Sequence, residues 1–359
     1  MFEVYRNKKA LITGITGFKG SWLAMWLNHI GALVSGFGLE PDTKPNLFQE
    51  SGLNKNIHFS IIDIRDPDKL IQKVNDYKPE IIFHLASQPL VTVSYENPSD
   101  TIATNVMGLV NLCEVIKNSD FVRNVIIVTS DKCYLNEKGK FRFKEEDALG
   151  GLDPYSASKS CAEIIAKSYA NSFFIKKGIS SASVRAGNII GGGDWSKDRL
   201  VPDIVRASFE DIPLIIRNPN HVRPWQHVLE ALAGYLKTGE KLILNESADF
   251  TSWNFGPDSK RDFKVSDILD LFVINFNKKL DVEISQSEMI HEAEYLQLDS
   301  QKAKQLLKWE NKWDTKKVLE KTSEWYKEFY TGTQNAHELC LKQIIEYENS
   351  LENLTINNI

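Results

Sequence analysis

Residues 13–22 read "TGITGFKGSW". Gly14, Gly17 and Gly20 stand three apart, directly after the apolar run "KALIT" (9–13) and at the head of a segment that reads as an amphipathic helix to about His29. Glycines suit such a turn because the backbone must bend tightly and come close to a pyrophosphate. The first turn of the helix offers unpaired N–H groups at the positive end of its dipole. A plain tight turn is the competing reading, and the strand–turn–helix context favours nucleotide binding.

Outward from this turn, short apolar runs recur: "ALVSGF" (32–37), "HFSIID" (58–63), "IIFHLA" (81–86), "VIIVTS" (125–130) and "SASVRA" (181–186). The stretches between them are long enough for crossover helices, and near-continuous Val, Ile and Leu fit strands covered on both faces. The expected class is α/β, a doubly wound parallel sheet of the Rossmann type with a smaller C-terminal substrate-binding lobe. That lobe is expected where the pattern changes, near residue 190, to "GGGDW", "RNPNHVRPWQH" and shorter helices. The chain thus divides into a dinucleotide-binding domain at 1–185, to which later segments return, a substrate lobe at 186–330, and a polar helix with a frayed end at 331–359.

Composition narrows the function. A chain of 359 residues, 42% hydrophobic and with a formal charge of -5, has no basic excess for nucleic acid or an anionic membrane surface. Cys113, Cys133, Cys161 and Cys340 are scattered without metal-ligand spacing, so neither a disulfide framework nor a metal site is expected. The start "MFEVYRNKKALITG" lacks the apolar core of a signal peptide, and no apolar run approaches the ~20 residues of a membrane span. The cytoplasm is the expected location.

Chemistry gathers where the predicted strands end. Asp63 closes the third, where its carboxylate either reaches an adenine amino group or caps the helix after Pro67. "HLAS" closes the fourth with small residues over which a cofactor could lie. The second ends at Gly38 with no arginine directly after it, which favours NAD over NADP. In "DPYSASK", Tyr155 and Lys159 are four apart on a predicted helix, so both fall on one face. An ammonium beside a phenol favours the phenolate, which makes Tyr155 a candidate base for a sugar hydroxyl. Upstream, "VTSDKCY" (128–134) ends the fifth strand with hydroxyls, an acid and a lysine.

With "TGFKGSWL", "HLASQPLV", "TSDKCY", "DPYSASK", "RAGNIIGGGDW", "RPWQHV" and "NFGP" together, residues 8–330 resemble the extended short-chain dehydrogenases/reductases that act on nucleotide sugars, most closely the CDP-glucose 4,6-dehydratases. The resemblance implies bound NAD, a CDP-glucose substrate and a homodimer. It places Ser130 on the 4-hydroxyl of the sugar, makes Tyr155 the base, and has Lys159 tune Tyr155 and hold the nicotinamide ribose. Thr16, Phe18, Lys19, Ile64, Leu85, Ala86 and Asn105 join the glycines and Asp63 on the cofactor side. Where related dTDP-glucose enzymes carry Asp-Glu, this chain has Asp131-Lys132. The resemblance implies that Lys132 removes the carbon 5 proton and Asp131 protonates the departing carbon 6 hydroxyl, unless Lys132 is a solvated lysine or an ion-pair partner of Asp131.

On the substrate side, Arg217 and Arg223 carry guanidinium forks suited to phosphate oxygens. Trp195 and Trp225 either wall the sugar pocket or serve as core aromatics. Gln88, Arg185, Asn188, Arg199 and His227 resemble substrate-side positions, although His227 could equally cap the following helix. "GGGD" (191–194) reads either as a hinge over the substrate or as a turn. A nucleotide-sugar 4-epimerase would share the glycine turn, Tyr155 and Lys159 without needing Asp131-Lys132 as an acid-base pair. A non-catalytic NAD-binding module on the same fold would share the glycine turn, and the complete Ser130, Tyr155 and Lys159 set argues against it.

Overall fold

The computed structural model describes residues 1–137, 142–244, 249–257, 262–276, 278–285 and 295–352. At its centre lies a seven-stranded parallel sheet: β1 (Lys9–Thr13), β2 (Leu33–Gly38), β3 (His58–Ile61), β4 (Ile81–His84), β5 (Asn124–Val128), β6 (Ser180–Ala186) and β7 (Thr251–Phe255). The strand order is β7-β6-β5-β4-β1-β2-β3. Six strands fall on the predicted runs. The seventh, at the edge beside β6, is supplied by a far later segment, and its Trp253 and Phe255 are buried.

Alternate residues of the strands enter two cores. Ala10, Ile12, Phe83, Ile126, Ala182 and Val184 face one layer of helices. Leu11, Ile82, Val125 and Ile127 face the other, against Leu70 and Val74 of α2 (Pro67–Tyr77), Leu109, Leu112 and Ile116 of α3 (Gly108–Asn118), and Ala162 and Ala166 of α4 (Pro154–Tyr169). Apolar side chains on both faces explain the continuous hydrophobic runs.

The glycine turn leads into α1 (Phe18–His29), at the predicted position but not amphipathic: every residue from Gly20 to Leu27 is buried. Its outward face is covered by α7 (Ala336–Glu352), the helix expected to be polar. Trp26 meets the ring of Tyr347 edge-on at 5.8 Å and donates from Nε1 to Glu348 at 2.7 Å. Leu339, Cys340, Ile344 and Leu351 of α7 are buried too, and the expected frayed end, 353–359, lies outside the described residues. Beside α1 runs α5 (Val228–Ile243), capped by the His227 ring, which accepts from Leu229 N at 3.3 Å. Before α7 comes α6 (Thr315–Tyr330), capped by Asp314.

The smaller lobe includes a helix at Leu200–Glu210, another at Val265–Phe276, and a parallel strand pair, Leu214–Ile216 with Val282–Ile284. Among the described residues no helix is long and apolar enough to cross a membrane.

Candidate active site

A cleft of about 780 Å³ opens along the carboxyl ends of the strands, where β1 and β4 lead in opposite directions across the sheet. Such a switch point is where doubly wound sheets hold ligands. Gly14 turns at φ +71°, and a Cβ there would stand 2.8 Å from Ala86 N, so the turn after β1 packs backbone to backbone on the end of β4. Gly17 caps α1 with no side-chain hydrogen bond, leaving the first amides of the helix to a ligand. A bare helix start walled by glycine backbone fits a dinucleotide pyrophosphate. Thr16, Phe18, Lys19, Asp63, Ile64, Leu85 and Ala86 line the same end.

Deeper in the cleft, β5 delivers Ser130, Asp131 and Lys132 on a short 3-10 turn. Ser130 opens the turn by accepting from Lys132 N at 3.2 Å and donates to Asp131 Oδ1 at 2.9 Å. Asp131 is 3% exposed, and its Oδ2 is buried without a hydrogen-bond partner. Burial raises its pKa above the usual carboxylate range, against the opposing charges of Lys132 and Arg223 and the Ser130 hydroxyl. Asp131 is therefore biased toward the protonated form. Lys132, half-buried, lines the cleft beside it.

Facing that turn is α4, started by Pro154 and capped by Asp153, which accepts from Ser156 N at 2.9 Å. The helix carries Tyr155 and Lys159 into the cleft one turn apart, with the Lys159 ammonium 5.8 Å from the Tyr155 ring centroid. Their titration differs from the expectation that the lysine lowers the phenol. Burial pushes Tyr155 up to about 12, partly offset by its hydrogen bond with Ser130. Burial and the nearby Lys19 press Lys159 down to about 7, because two cations share a poorly solvated space. Lys19 is itself lowered to about 8 by burial and Arg199, with Asp131 and Asp194 opposing.

Several expected substrate-side groups line the other end. Arg199 pairs with Asp194 at 2.8 Å, Arg223 is 5% exposed with Nη2 3.0 Å from His221 Nδ1, and Arg217 is exposed near Asp198 at 3.6 Å. Asn188, Gln88 and Trp225 border the cleft. Trp195 borders the cleft and packs as a core aromatic on Trp325, Tyr326 and Phe329. The 191–194 turn packs closely on α6, since a Cβ on Gly192 would fall 2.0 Å from the Trp325 ring.

Other expectations are corrected. Arg185 lies outside the cleft lining, 2% exposed and paired with Glu163 at 2.7 Å, because its strand directs it at α4. Of the two readings of His227 the cap is the one observed: the ring caps α5, fully buried between Trp22 and Trp313, and burial lowers its pKa to about 3. Asn105 also lies outside the lining, in a π-helical turn at Ala103–Met107. Its amide pins Gln88 N and Ser158 Oγ at 2.7 and 2.9 Å, bracing the cleft wall from behind. Asp63 does not cap α2; Asp66 does, and Asp63 pairs with Arg65 at 2.6 Å while facing the cleft. Asp194 was overlooked among the glycines of "GGGD", although an acid after such a run, five residues before an arginine, was a usable signal.

Parallel sheet, glycine turn and a Ser–Tyr–Lys group over one cleft together define an extended short-chain dehydrogenase/reductase. The chain belongs to the GDP-mannose 4,6 dehydratase family, whose sequence pattern matches residues 11–322. It is 44% identical over 334 residues to the CDP-glucose 4,6-dehydratase of Salmonella typhimurium, covering 91% of this chain and 93% of that one. The UDP-glucose 4-epimerase of Pisum sativum is 22% identical over 90% of this chain and 97% of its own. In fold, the dTDP-glucose 4,6-dehydratase of Bacillus anthracis, solved with NAD, superposes with a TM-score of 0.74 at 21% identity, covering 90% of this chain and 98% of that one.

Proposed function

We propose that the protein is an NAD-dependent dehydratase that converts CDP-glucose to CDP-4-keto-6-deoxyglucose. The observation that carries this reading is Asp131-Lys132 at the end of β5, an acid of raised pKa beside an amine, within the same cleft as Ser130, Tyr155 and Lys159. The Salmonella typhimurium relative supports the choice of substrate.

NAD, when bound, supplies the hydride acceptor for carbon 4 and the donor for carbon 6, and in its oxidised form a positive charge that favours the Tyr155 phenolate. Gly14, Gly17 and Gly20 would hold its pyrophosphate, Asp63 its adenine end and Lys159 its nicotinamide ribose. Ser130 orients the 4-hydroxyl and Tyr155 takes its proton. The resulting ketone acidifies carbon 5, whose proton the neutral Lys132 amine removes. Asp131, whose pKa burial raises, then donates to the carbon 6 hydroxyl so that it leaves as water. Once carbon 6 has taken up hydride, Lys132, after exchange with solvent, returns a proton to carbon 5. Arg217 and Arg223 would grip the substrate diphosphate, with Asn188, Arg199, Trp195 and Gln88 around the sugar. Assembly as a homodimer and residence in the cytoplasm belong to the same reading.

Incubation with NAD and CDP-, dTDP-, UDP- or GDP-linked hexoses in deuterated water, followed by NMR, tests it. The expected outcome is the 4-keto-6-deoxy product from CDP-glucose with deuterium at carbon 5. A carbon 4 epimer without deuterium would establish an epimerase instead, and no turnover with any hexose a binding module.

A further inference from the structure

Behind the reacting groups lies a buried network that the chemistry above does not use. Tyr155, Lys159 and Glu163 follow one another at four-residue spacing on α4. The first two enter the cleft, whereas Glu163, 2% exposed, turns under the sheet edge to meet Arg185 of β6. Its carboxylate accepts from Arg185 Nε at 2.9 Å and Nη2 at 2.7 Å, from Ser183 Oγ at 2.7 Å and from Thr129 Oγ1. The remaining nitrogen of Arg185 donates to Tyr134 OH at 2.6 Å, and the guanidinium lies 4.9 Å from the Tyr134 ring centroid. Tyr134 OH donates in turn to Asn254 of β7 at 2.7 Å.

Thr129 and Tyr134 are the residues on either side of Ser130–Cys133. The stretch carrying Ser130, Asp131 and Lys132 is therefore gripped at both ends by one ion pair, and Ser160 Oγ of α4 holds Cys133 O between them at 2.8 Å. A buried ion pair is a weak source of stability, since apolar groups of similar volume often serve as well. Fixed geometry is what this one adds. It ties the acid-base turn to the helix that bears Tyr155 and Lys159.

We infer that Glu163 and Arg185, acting through Thr129 and Tyr134, are positioning residues that hold the two halves of the reaction in register. Resting on the dehydratase reading, this assigns each anchor its own step. Thr129 adjoins Ser130 and governs oxidation at carbon 4; Tyr134 lies nearer Lys132 and governs elimination.

Tyr134→Phe and Thr129→Val each remove one hydroxyl at nearly constant volume. CDP-6-deoxyglucose isolates the first step: its carbon 4 alcohol can pass hydride to NAD and a proton to Tyr155, but it has no carbon 6 hydroxyl to lose. Enzyme-bound NADH reports that oxidation, and rapid-quench analysis of CDP-glucose turnover reports elimination. Tyr134→Phe should slow elimination ~10- to 100-fold and accumulate CDP-4-keto-glucose with bound NADH, while oxidation of the 6-deoxy probe stays within about 3-fold. Thr129→Val should slow oxidation without accumulating the ketone, and Thr129→Ser should restore the rate. If both variants lower both steps by one factor, or neither step changes, the network is structural only and the inference is overturned. A wild-type protein that forms no ketone from either sugar overturns the dehydratase reading, and the inference with it.

Discussion

Glu230 of α5 offers a test of the packing around α1. It is fully buried. Its Oε1 accepts from Lys312 N at 2.9 Å and Trp313 N at 2.7 Å, and its Oε2 from Tyr347 OH at 2.7 Å. Burial outweighs those hydrogen bonds and raises the carboxyl from 4.5 to about 7. For an acid raised in the native state, the native advantage is complete below the unfolded value and declines as pH rises, because the unfolded chain ionises first. The loss runs from about pH 4.5 to about pH 7. At about 1.4 kcal/mol per tenfold, that displacement is worth about 3 kcal/mol. Glu230→Gln is neutral throughout, keeps the acceptor for both backbone amides and offers its NH₂ to the Tyr347 oxygen. Urea unfolding of both proteins at about pH 5 and about pH 8 lets their shared titrations cancel. The variant should gain about 2.5 kcal/mol on wild type between the two conditions, since part of the loss has already occurred at about pH 5. A difference that stays constant, or moves against the variant as pH rises, would refute a carboxyl held protonated by burial.

Tyr155→Phe should lower turnover ~100- to 10,000-fold while NAD and CDP-glucose still bind, as equilibrium titration would show. Lys132→Met should accumulate 4-keto-glucose with bound NADH and suppress deuterium uptake at carbon 5, whereas Asp131→Asn should stall later and retain that exchange; mass spectrometry of quenched reactions separates them. Gly20→Ala should abolish NAD binding in a calorimetric titration, since its Cβ would fall 2.2 Å from Gly14 O and 2.8 Å from Ile15 Cα, backbone atoms that cannot swing aside.

What the chain disclosed in advance was whatever depends on local pattern. Strands buried on both faces announce themselves as apolar runs, and β1, β2, β4, β5 and β6 lie within a residue or two of those runs. Tyr155 and Lys159 could be paired because helical spacing alone puts them together. β7 stayed hidden because "TSWNF" is short and half polar, and its place depends on a neighbour some seventy residues earlier. Arg185 was misread for the same reason: nothing beside it shows that Glu163 waits on α4. His227 and the outer face of α1 were decided by partners on α6, α7 and the segment before them, beyond the reach of any periodicity in their own stretch. The raised phenol of Tyr155 reflects three-dimensional enclosure that a four-residue spacing cannot convey.

The late arrival of β7 bears on how the chain is made. The outer edge of β6 is complete only when Thr251–Phe255 pairs with it, and residues 187–250 must first leave the ribosome. At ~5–20 residues per second, translation holds that edge open for roughly 3–13 s. An unpaired strand edge recruits other strands. Nascent chains should therefore depend on chaperone cover during that interval, and slow codons within 187–250 would raise the yield of aggregate without altering one residue of the finished enzyme.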